Sequence, residues 1–548
     1  MIARTFGGRR WLVPLLLAVL TVDVSAQSQD AFRVTLGELP DAGFADKEAI
    51  AERLMATGHP GAGNVLTAML EDRLFYTPDR RIVIAKATDD GLRAFALIDP
   101  VSLKDIGSAP VADLTKIGTN NRLRRFLRTT VAHFGLANPD PAVRLDAVTD
   151  MIRSLDETTV ELLRQRAGVE TDTAVKHEIE TGLALAALDA PDAATRLQAV
   201  EALSHRFSQD VRNRLAAMIE PGPDGVTAET DSAVRSAASA AVQRIDSTRS
   251  LYAGIETLFF GLSLGSVLVL AAIGLAITFG VMGVINMAHG ELMMIGAYTT
   301  YVVQLALPNH IGWSIPLAIP SAFIVAGLAG VILERTVIRF LYGRPLETLL
   351  ATFGVSLILQ QLVRSIFSAN NRAVETPAWM SGTLQVNEAL ALTYNRLYIV
   401  VLTVIVFAAL QLILKRTRTG LEIRAVSQNR VMARAMGIRT EWVDAATFGL
   451  GSGIAGVAGV ALSQLTNVGP NLGQAYIIDS FMVVVFGGVG NLWGTLIGGL
   501  SLGIVNKLLE PYSGAVLGKI LVLVALILFI QRRPRGIFPQ TGRVVESS

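Results

Sequence analysis

Hydrophobic and polar positions follow two different patterns on either side of residue 250. Residues 27 to 250 interleave Asp, Glu, Arg and Thr with apolar positions and hold no apolar run of 18, whereas residues 254 to 531 form a succession of runs long enough to cross a bilayer. The candidate spans are 256 to 280, 284 to 307, 313 to 334, 347 to 367, 397 to 414, 441 to 464, 476 to 490, 493 to 509 and 515 to 531. The seventh is short enough to be a broken or re-entrant element. The pattern predicts an all-α chain: a polytopic bundle of about eight or nine spans, some broken or re-entrant, behind a mainly helical soluble half.

In the soluble half four segments share a design: Asn138-Pro-Asp-Pro-Ala-Val-Arg144, Glu170-Thr-Asp-Thr-Ala-Val-Lys176, Ala190-Pro-Asp-Ala-Ala-Thr-Arg196 and Glu229-Thr-Asp-Ser-Ala-Val-Arg235. Each places an Asp at a helix N-cap position, followed by Ala, a β-branched residue and a base, then apolar residues at helical spacing. The segments are similar to HEAT repeats, and that resemblance implies stacked helix pairs offering an elongated surface to a partner. Upstream, a helix is expected from Asp46 to Arg73 and strand-like runs at Arg81 to Ala87 and Leu92 to Ile98. His59, His133, His177 and His205 stand singly and suggest no metal site.

The first residues bear on topology. Arg4, Arg9 and Arg10 precede the apolar run Trp11 to Leu20, and Val24-Ser25-Ala26 supplies small residues for cleavage, so 1–26 reads as a secretory signal. The organisation expected is a signal peptide at 1–26, an exported (periplasmic) domain at 27–250 with helical repeats from about 138, a membrane domain at 251–535 and a cytoplasmic tail at 536–548. With the front half outside, crossings place Arg335, Arg339 and Arg344 inside, then Lys415, Arg416, Arg418, Arg424, Arg430, Arg434 and Arg439, and, for an odd number of crossings, Arg532, Arg533 and Arg535. One assignment satisfies the positive-inside rule for all three basic loops.

A net charge of +2 without a concentrated basic face gives no reason to expect nucleic acid, and zero Cys excludes disulfides, thiolate metal sites and a cysteine nucleophile. Gly261-Leu-Ser263-Leu-Gly265 and Gly499-Leu-Ser501-Leu-Gly503 fit the G-x-S-x-G nucleophile pattern, but both lie inside apolar helical runs where no strained strand-to-helix turn can form. Gly451-Ser-Gly453-Ile-Ala-Gly456 matches G-x-G-x-x-G without a βαβ context. All three are assigned to helix packing. No P-loop is present, so any ATP hydrolysis has to be supplied by another subunit. Polar residues at membrane depth are expensive, which makes Asn286, His289, Glu291, Gln360, Gln361, Asn467, Asp479 and Asn491 candidates for a substrate path. The competing expectation for Asn286, His289 and Glu291 is structural, bonding the backbone of a broken helix.

Between the fifth and sixth spans, Gly420 to Ile438 places Ala, Val and Met at helical spacing and ends at Gly437, an amphipathic helix suited to a groove on a cytoplasmic partner. This loop, Gly283-Val-Ile-Asn286-Met-Ala-His289-Gly-Glu291 and Gly487-Gly-Val-Gly490-Asn-Leu-Trp-Gly494 together resemble the permeases of branched-chain amino-acid ABC importers over residues 255 to 535. The exported extension looks like that of the long-form permease subunits of urea importers within that family. The resemblance implies a second related permease, two cytoplasmic ABC ATPase subunits and a periplasmic solute-binding protein in a lipid bilayer, with no cofactor on this chain. It also places ATPase coupling on Glu422, Arg424, Asn429, Arg430, Ala433, Arg434 and Gly437. Urea is the expected solute and a branched-chain amino acid the alternative; a membrane sensor and an intramembrane hydrolase using Ser263 or Ser501 are readings of other classes.

Overall fold

The computed structural model describes residues 29–538 apart from 60, 88–93, 111, 112, 154 and 222–226; the signal-peptide expectation and most of the tail lie outside the described residues. Cα packing divides the chain into two compact units between Asp246 and Ser247.

The first unit opens with helical residues 29–37 (α1), α2 (Phe44–Ala56) and α3 (Gly61–Leu70). The single helix expected from Asp46 to Arg73 is therefore two, because Gly58 turns into the left-handed region at φ 63° and ends α2. Strands β1 (Leu74–Tyr76), β2 (Ile82–Ala87), β3 (Ala94–Ile98), β4 (Asp105–Pro110) and β5 (Thr115–Lys116) form an antiparallel sheet in the order β4-β3-β2-β1-β5. The two strand-like runs of the mainly helical front half fall here: β2 and β3 lie within them and pair with each other, Ile84 opposite Ile98. Phe32, Leu54, Leu66, Met69 and Leu74, with Leu123 and Leu127 of α4 (Asn121–Leu136), fill one core between helices and sheet. His59 belongs to that core, stacked on Phe32 at 4.2 Å and accepting from the Gly61 N–H.

The rest of the unit is short helices: α5 (Pro141–Ile152), α6 (Glu157–Ala167), α7 (Thr173–Ala187), α8 (Ala193–Leu203) and α9 (Gln209–Ile219). The four Asp residues of the repeated segments all cap helices, Asp140, Asp172, Asp192 and Asp231 each accepting a backbone N–H of the next turn. The base that follows reaches across to a later segment in two of them. Arg144 forks onto Glu170 at 2.9 and 2.8 Å, and Arg196 forks onto Glu229 at 2.8 and 2.9 Å, so each arginine fixes the loop before a later capped helix. Glu170 has no exposed side-chain surface, and its hydrogen bonds from Arg144 hold its carboxyl at a pKa lowered to about 2. Lys176 occupies the equivalent position where the next segment opens with Ala190 instead of Glu.

The boundary falls within α10 (Ser232–Met282), and the second unit continues with α11 (His289–Ala306), α12 (Ser314–Thr336), α13 (Pro345–Phe367), α14 (Tyr394–Arg416), α15 (Arg418–Gln428), α16 (Arg430–Ala435), α17 (Thr440–Ser463), α18 (Leu472–Gly487) and α19 (Leu492–Arg532), with a hairpin of β6 (Thr383–Asn387) and β7 (Leu390–Thr393). Among the described residues six helices are long and apolar enough to cross a membrane: α10, the α12 region, α13, α14, α17 and α19. The second and seventh expected spans are the shorter α11 and α18, and the eighth and ninth are the two arms of α19, interrupted at Gly514 (φ 75°, ψ 163°) behind Pro511.

α17 is the axis of this bundle, with 20 of its 24 residues buried. Its glycines set the spacing: a Cβ at Gly451 would meet the Gly274 carbonyl of α10 at 2.7 Å, one at Gly456 the Ala326 methyl of α12 at 2.7 Å, and one at Gly459 the Ala297 nitrogen of α11 at 2.7 Å. The two G-L-S-L-G copies likewise face each other, Gly261 against Ile504 and Gly265 against Leu500, so they form one α10–α19 packing seam.

Candidate functional site

α10 stops at Gly283, whose φ of 66° few side chains would tolerate, and residues 283–288 run on without helical structure before α11 begins at His289. The broken backbone is held from both sides. His289 Nε2 donates to the Ala271 carbonyl of α10 at 2.8 Å, and the Met287 N–H donates to Thr352 Oγ1 of α13 at 3.1 Å. Asn286 Oδ1 accepts from the Ala288 N–H at 3.0 Å. These contacts are the structural role expected of a broken helix.

Three groups have more capacity than the structure uses. Glu291, 1% exposed, accepts from Ser356 Oγ at 2.9 Å and Gln360 Nε2 at 2.8 Å, both on Oε1, while its Oε2 is buried without a partner. Asn286 Nδ2 and the Tyr298 hydroxyl are buried and unpartnered too. Glu291 and Tyr298 lie seven residues apart on one face of α11, and Tyr298 stacks on Phe367 of α13 at 4.7 Å. Unsatisfied buried polar atoms cost roughly 1–3 kcal/mol each and call for an explanation. Ser356 is the twelfth of the 23 residues of α13, so the cluster sits halfway along that helix.

A second short helix ends at the same place. Gly290 of α11 and Gly473 of α18 touch backbone to backbone, and a Cβ on Gly473 would meet the Glu291 nitrogen at 2.8 Å. The N-terminal ends of α11 and α18, each carrying the positive end of a helix dipole, therefore meet at the Gly290–Glu291 backbone. Next to α18, Arg364 donates to Asn471 Oδ1 at 2.8 Å.

The structure brings Asn286, His289, Glu291 and Gln360 into this one region and puts the other four sequence candidates elsewhere. Gln361 and Asn467 are exposed. Asp479 pairs with Lys519 at 3.0 Å, and Asn491 caps α19 by accepting from the Trp493 and Gly494 N–H groups. Sequence reading passed over Thr352 and Ser356, although Thr348, Thr352, Ser356, Gln360 and Arg364 recur every four residues, a polar stripe on an apolar helix.

The loop between α14 and α17 is two helices, not one, because Asn429 leaves helical geometry and caps α16 by accepting from the Met432 N–H at 2.9 Å. Most of the expected coupling residues are engaged within the chain: Glu422 with Arg418, Arg424 with the Leu414 carbonyl, Arg430 with Asp444, Arg434 with Thr440, and Ala433 in a core with Ile423, Val426 and Val443. Gly437 ends α16 at φ 87°. The outward edge is instead apolar, Leu421, Val431, Met432 and Met436 being 59 to 82% exposed. The Arg335 guanidinium lies over Trp442 at 4.2 Å and that of Arg430 over Tyr342 at 4.0 Å, so the basic segments 335–344 and 415–439 share one end of the bundle.

Comparison with known proteins places this half of the chain. The family profile described as branched-chain amino acid transport system, permease component, matches residues 257–530, half of the chain. The high-affinity branched-chain amino acid transport system permease protein LivH of Escherichia coli K12 is 32% identical over 302 residues, 53% of this chain and 97% of that protein. BraD of Pseudomonas aeruginosa, of the same description, is 32% identical over 306 residues, 54% of this chain and 99% of its own length. The ribose import permease protein RbsC of Escherichia coli is 26% identical over 288 residues, 50% of this chain and 85% of that protein. No solved structure matches. Through its membrane half, the chain belongs to the family of branched-chain amino-acid transport permease components.

Proposed function

We propose that the chain forms half of the translocation path of an ABC importer and that the α11–α13–α18 junction handles an amino acid. The observation that carries this reading is a buried carboxyl oxygen without a partner, Glu291 Oε2, on a residue in the first turn of α11 whose backbone meets the N-terminal end of α18. An ammonium group would be accepted at Glu291 and a carboxylate would lie at the helix ends, the opposite-sign partners that a zwitterion needs. The relatives' names point the same way, and they favour an amino acid over the urea expected from the long front half. Urea remains a second reading because, among the described residues, only neutral donors, Ser356 and Gln360, bond Glu291.

Transport in this reading is alternating access powered by separate ATPases, with no chemistry on this chain. A second permease completes the path, a solute-binding protein delivers the solute, and the edge of Leu421, Val431, Met432 and Met436 fits a groove on an ATPase. The basic segments face the cytoplasm and the front unit the periplasm, where its capped helices serve as HEAT-like docking surface. ATP-dependent uptake of labelled leucine and of labelled urea, measured in vesicles holding the assembled complex and candidate binding proteins, tests the reading. Leucine uptake supports it; uptake of urea alone transfers the site to the amide, and ATP-independent or absent uptake of both refutes it.

A further inference from the structure

If the α15–α16 loop is where ATPase motion enters, something has to carry that motion to Glu291. Hydrophobic contact alone lets a short helix slide. One directional, two-point bond ties this loop to the bundle. Arg430, the first residue of α16, donates through Nη1 to Asp444 Oδ1 at 3.1 Å and through Nη2 to Oδ2, a parallel fork onto the second turn of α17. The pair is largely shielded, with side-chain exposures of 23% and 5%, and Tyr342 covers the guanidinium from the α12–α13 connection. A shielded bidentate pair resists both translation and rotation, which a point charge on a flexible stem does not.

Beyond Asp444 the route is backbone on backbone. Gly456 and Gly459 press α17 against α12 and α11 with no side chain between that could absorb a shift by changing rotamer, and at Gly451 the Gly274 backbone of α10 is met alongside only the Thr278 methyl. Gly459 sits against Met293 and Ala297, one turn from Glu291 on the same helix. We propose that the Arg430–Asp444 pair is the joint through which displacement of the α15–α16 loop is handed to α17 and from there to α11 and the Glu291 junction. Arg430 is thus a positioning residue that faces inward, not an ATPase contact.

This inference rests on the importer reading and is tested in the assembled complex in vesicles. Arg430→Asp, Asp444→Arg and the exchanged pair are compared for ATPase co-purification, ATP hydrolysis and solute uptake. Each single reversal keeps its ATPases and hydrolyses ATP, while uptake per ATP falls about 5- to 150-fold, the range of coupling between linked sites. The exchanged pair regains most of the coupling. Unchanged uptake per ATP in the single variants overturns the joint, and so does a parallel loss of hydrolysis and uptake that the exchange does not relieve. Should the reversals fail to assemble, Arg430→Lys keeps the charge and removes the fork; it loses part of the coupling, and wild-type coupling in it overturns the joint. Absent ATP-driven uptake in the wild type would instead strike the importer reading itself.

Discussion

Glu291→Gln isolates the solute-facing oxygen from the packing around it. The amide is nearly the same shape, and its remaining oxygen can still accept from Ser356 and Gln360. Hydrogen bonds to a charged group contribute about 1.5–3 kcal/mol and neutral ones about 0.5–1.5, so the two internal bonds weaken by roughly 2–3 kcal/mol together. Removing a charge from a site that is 1% exposed relieves a desolvation cost of at least similar size, and assembly is expected to stay near wild type. The position of Oε2 changes differently: an acceptor becomes an N–H donor facing the solute's own donors. Losing one charge-assisted bond of about 1.5–3 kcal/mol corresponds to a roughly 10- to 150-fold loss of uptake at low solute concentration. Glu291→Leu behaves otherwise, taking the acceptor from the Ser356 hydroxyl at about 1–3 kcal/mol, leaving Gln360 Nε2 only Ser356 Oγ, and lowering assembly itself. Initial rates of ATP-driven uptake against solute concentration, normalised to complex recovered by co-purification, separate the two. Uptake by Glu291→Gln within twofold of wild type would refute the assignment of Oε2 to the solute.

Other outcomes follow from the same structure. Gly459→Val pushes a side chain into the Met293–Ala297 backbone and costs about 1–3 kcal/mol or more, seen as a lower Tm of the full chain, whereas Gly354→Ala, with nothing within 4 Å of its Cβ, leaves Tm unchanged. Val431→Asp with Met436→Asp puts charge on the exposed edge of the loop and lowers ATPase co-purification about tenfold or more without lowering Tm. Glu170 contributes stability that is fully present above the ordinary glutamate pKa and is lost as pH falls towards its folded value of about 2; hydrogen exchange over residues 138–187 of the full chain should rise in that window, and Arg144→Gln should raise exchange at pH 7 and flatten the acid dependence.

How far these features could be read from sequence depends on the range of the interaction concerned. Asp140, Asp172, Asp192 and Asp231 announce their helices because a cap bonds only to its own next turn. The apolar runs announce helices because their length is set against a bilayer. The break at Gly283–Ala288 was visible as polar residues in an apolar run, yet its partners were not: Thr352 and Ser356 lie 65 residues away in sequence, and only the helix packing brings them to Met287 and Glu291. Asn491 and Asp479 looked like path residues because each is a polar side chain amid apolar neighbours; the structure gives one to a helix cap and the other to Lys519. In the front unit the runs holding β2 and β3 were legible as strands, whereas β1 and β5, only three and two residues long, are too short for a period-2 signal. The family resemblance placed Arg430 among the coupling residues, and nothing local reveals Asp444 fourteen residues on as its partner.

Alternating access requires the Glu291 junction to open to the two sides of the membrane in turn. The chain has no cysteine, so Ser356→Cys introduces a single thiol beside Glu291 on an otherwise unreactive subunit. Its labelling by a membrane-impermeant maleimide, from one face and then the other, is measured in vesicles with and without ATP. Labelling from one face in the nucleotide-free complex and from the opposite face when ATP is trapped is the result predicted. A thiol that stays inert from both faces, or that labels from the same face in both nucleotide states, would contradict it.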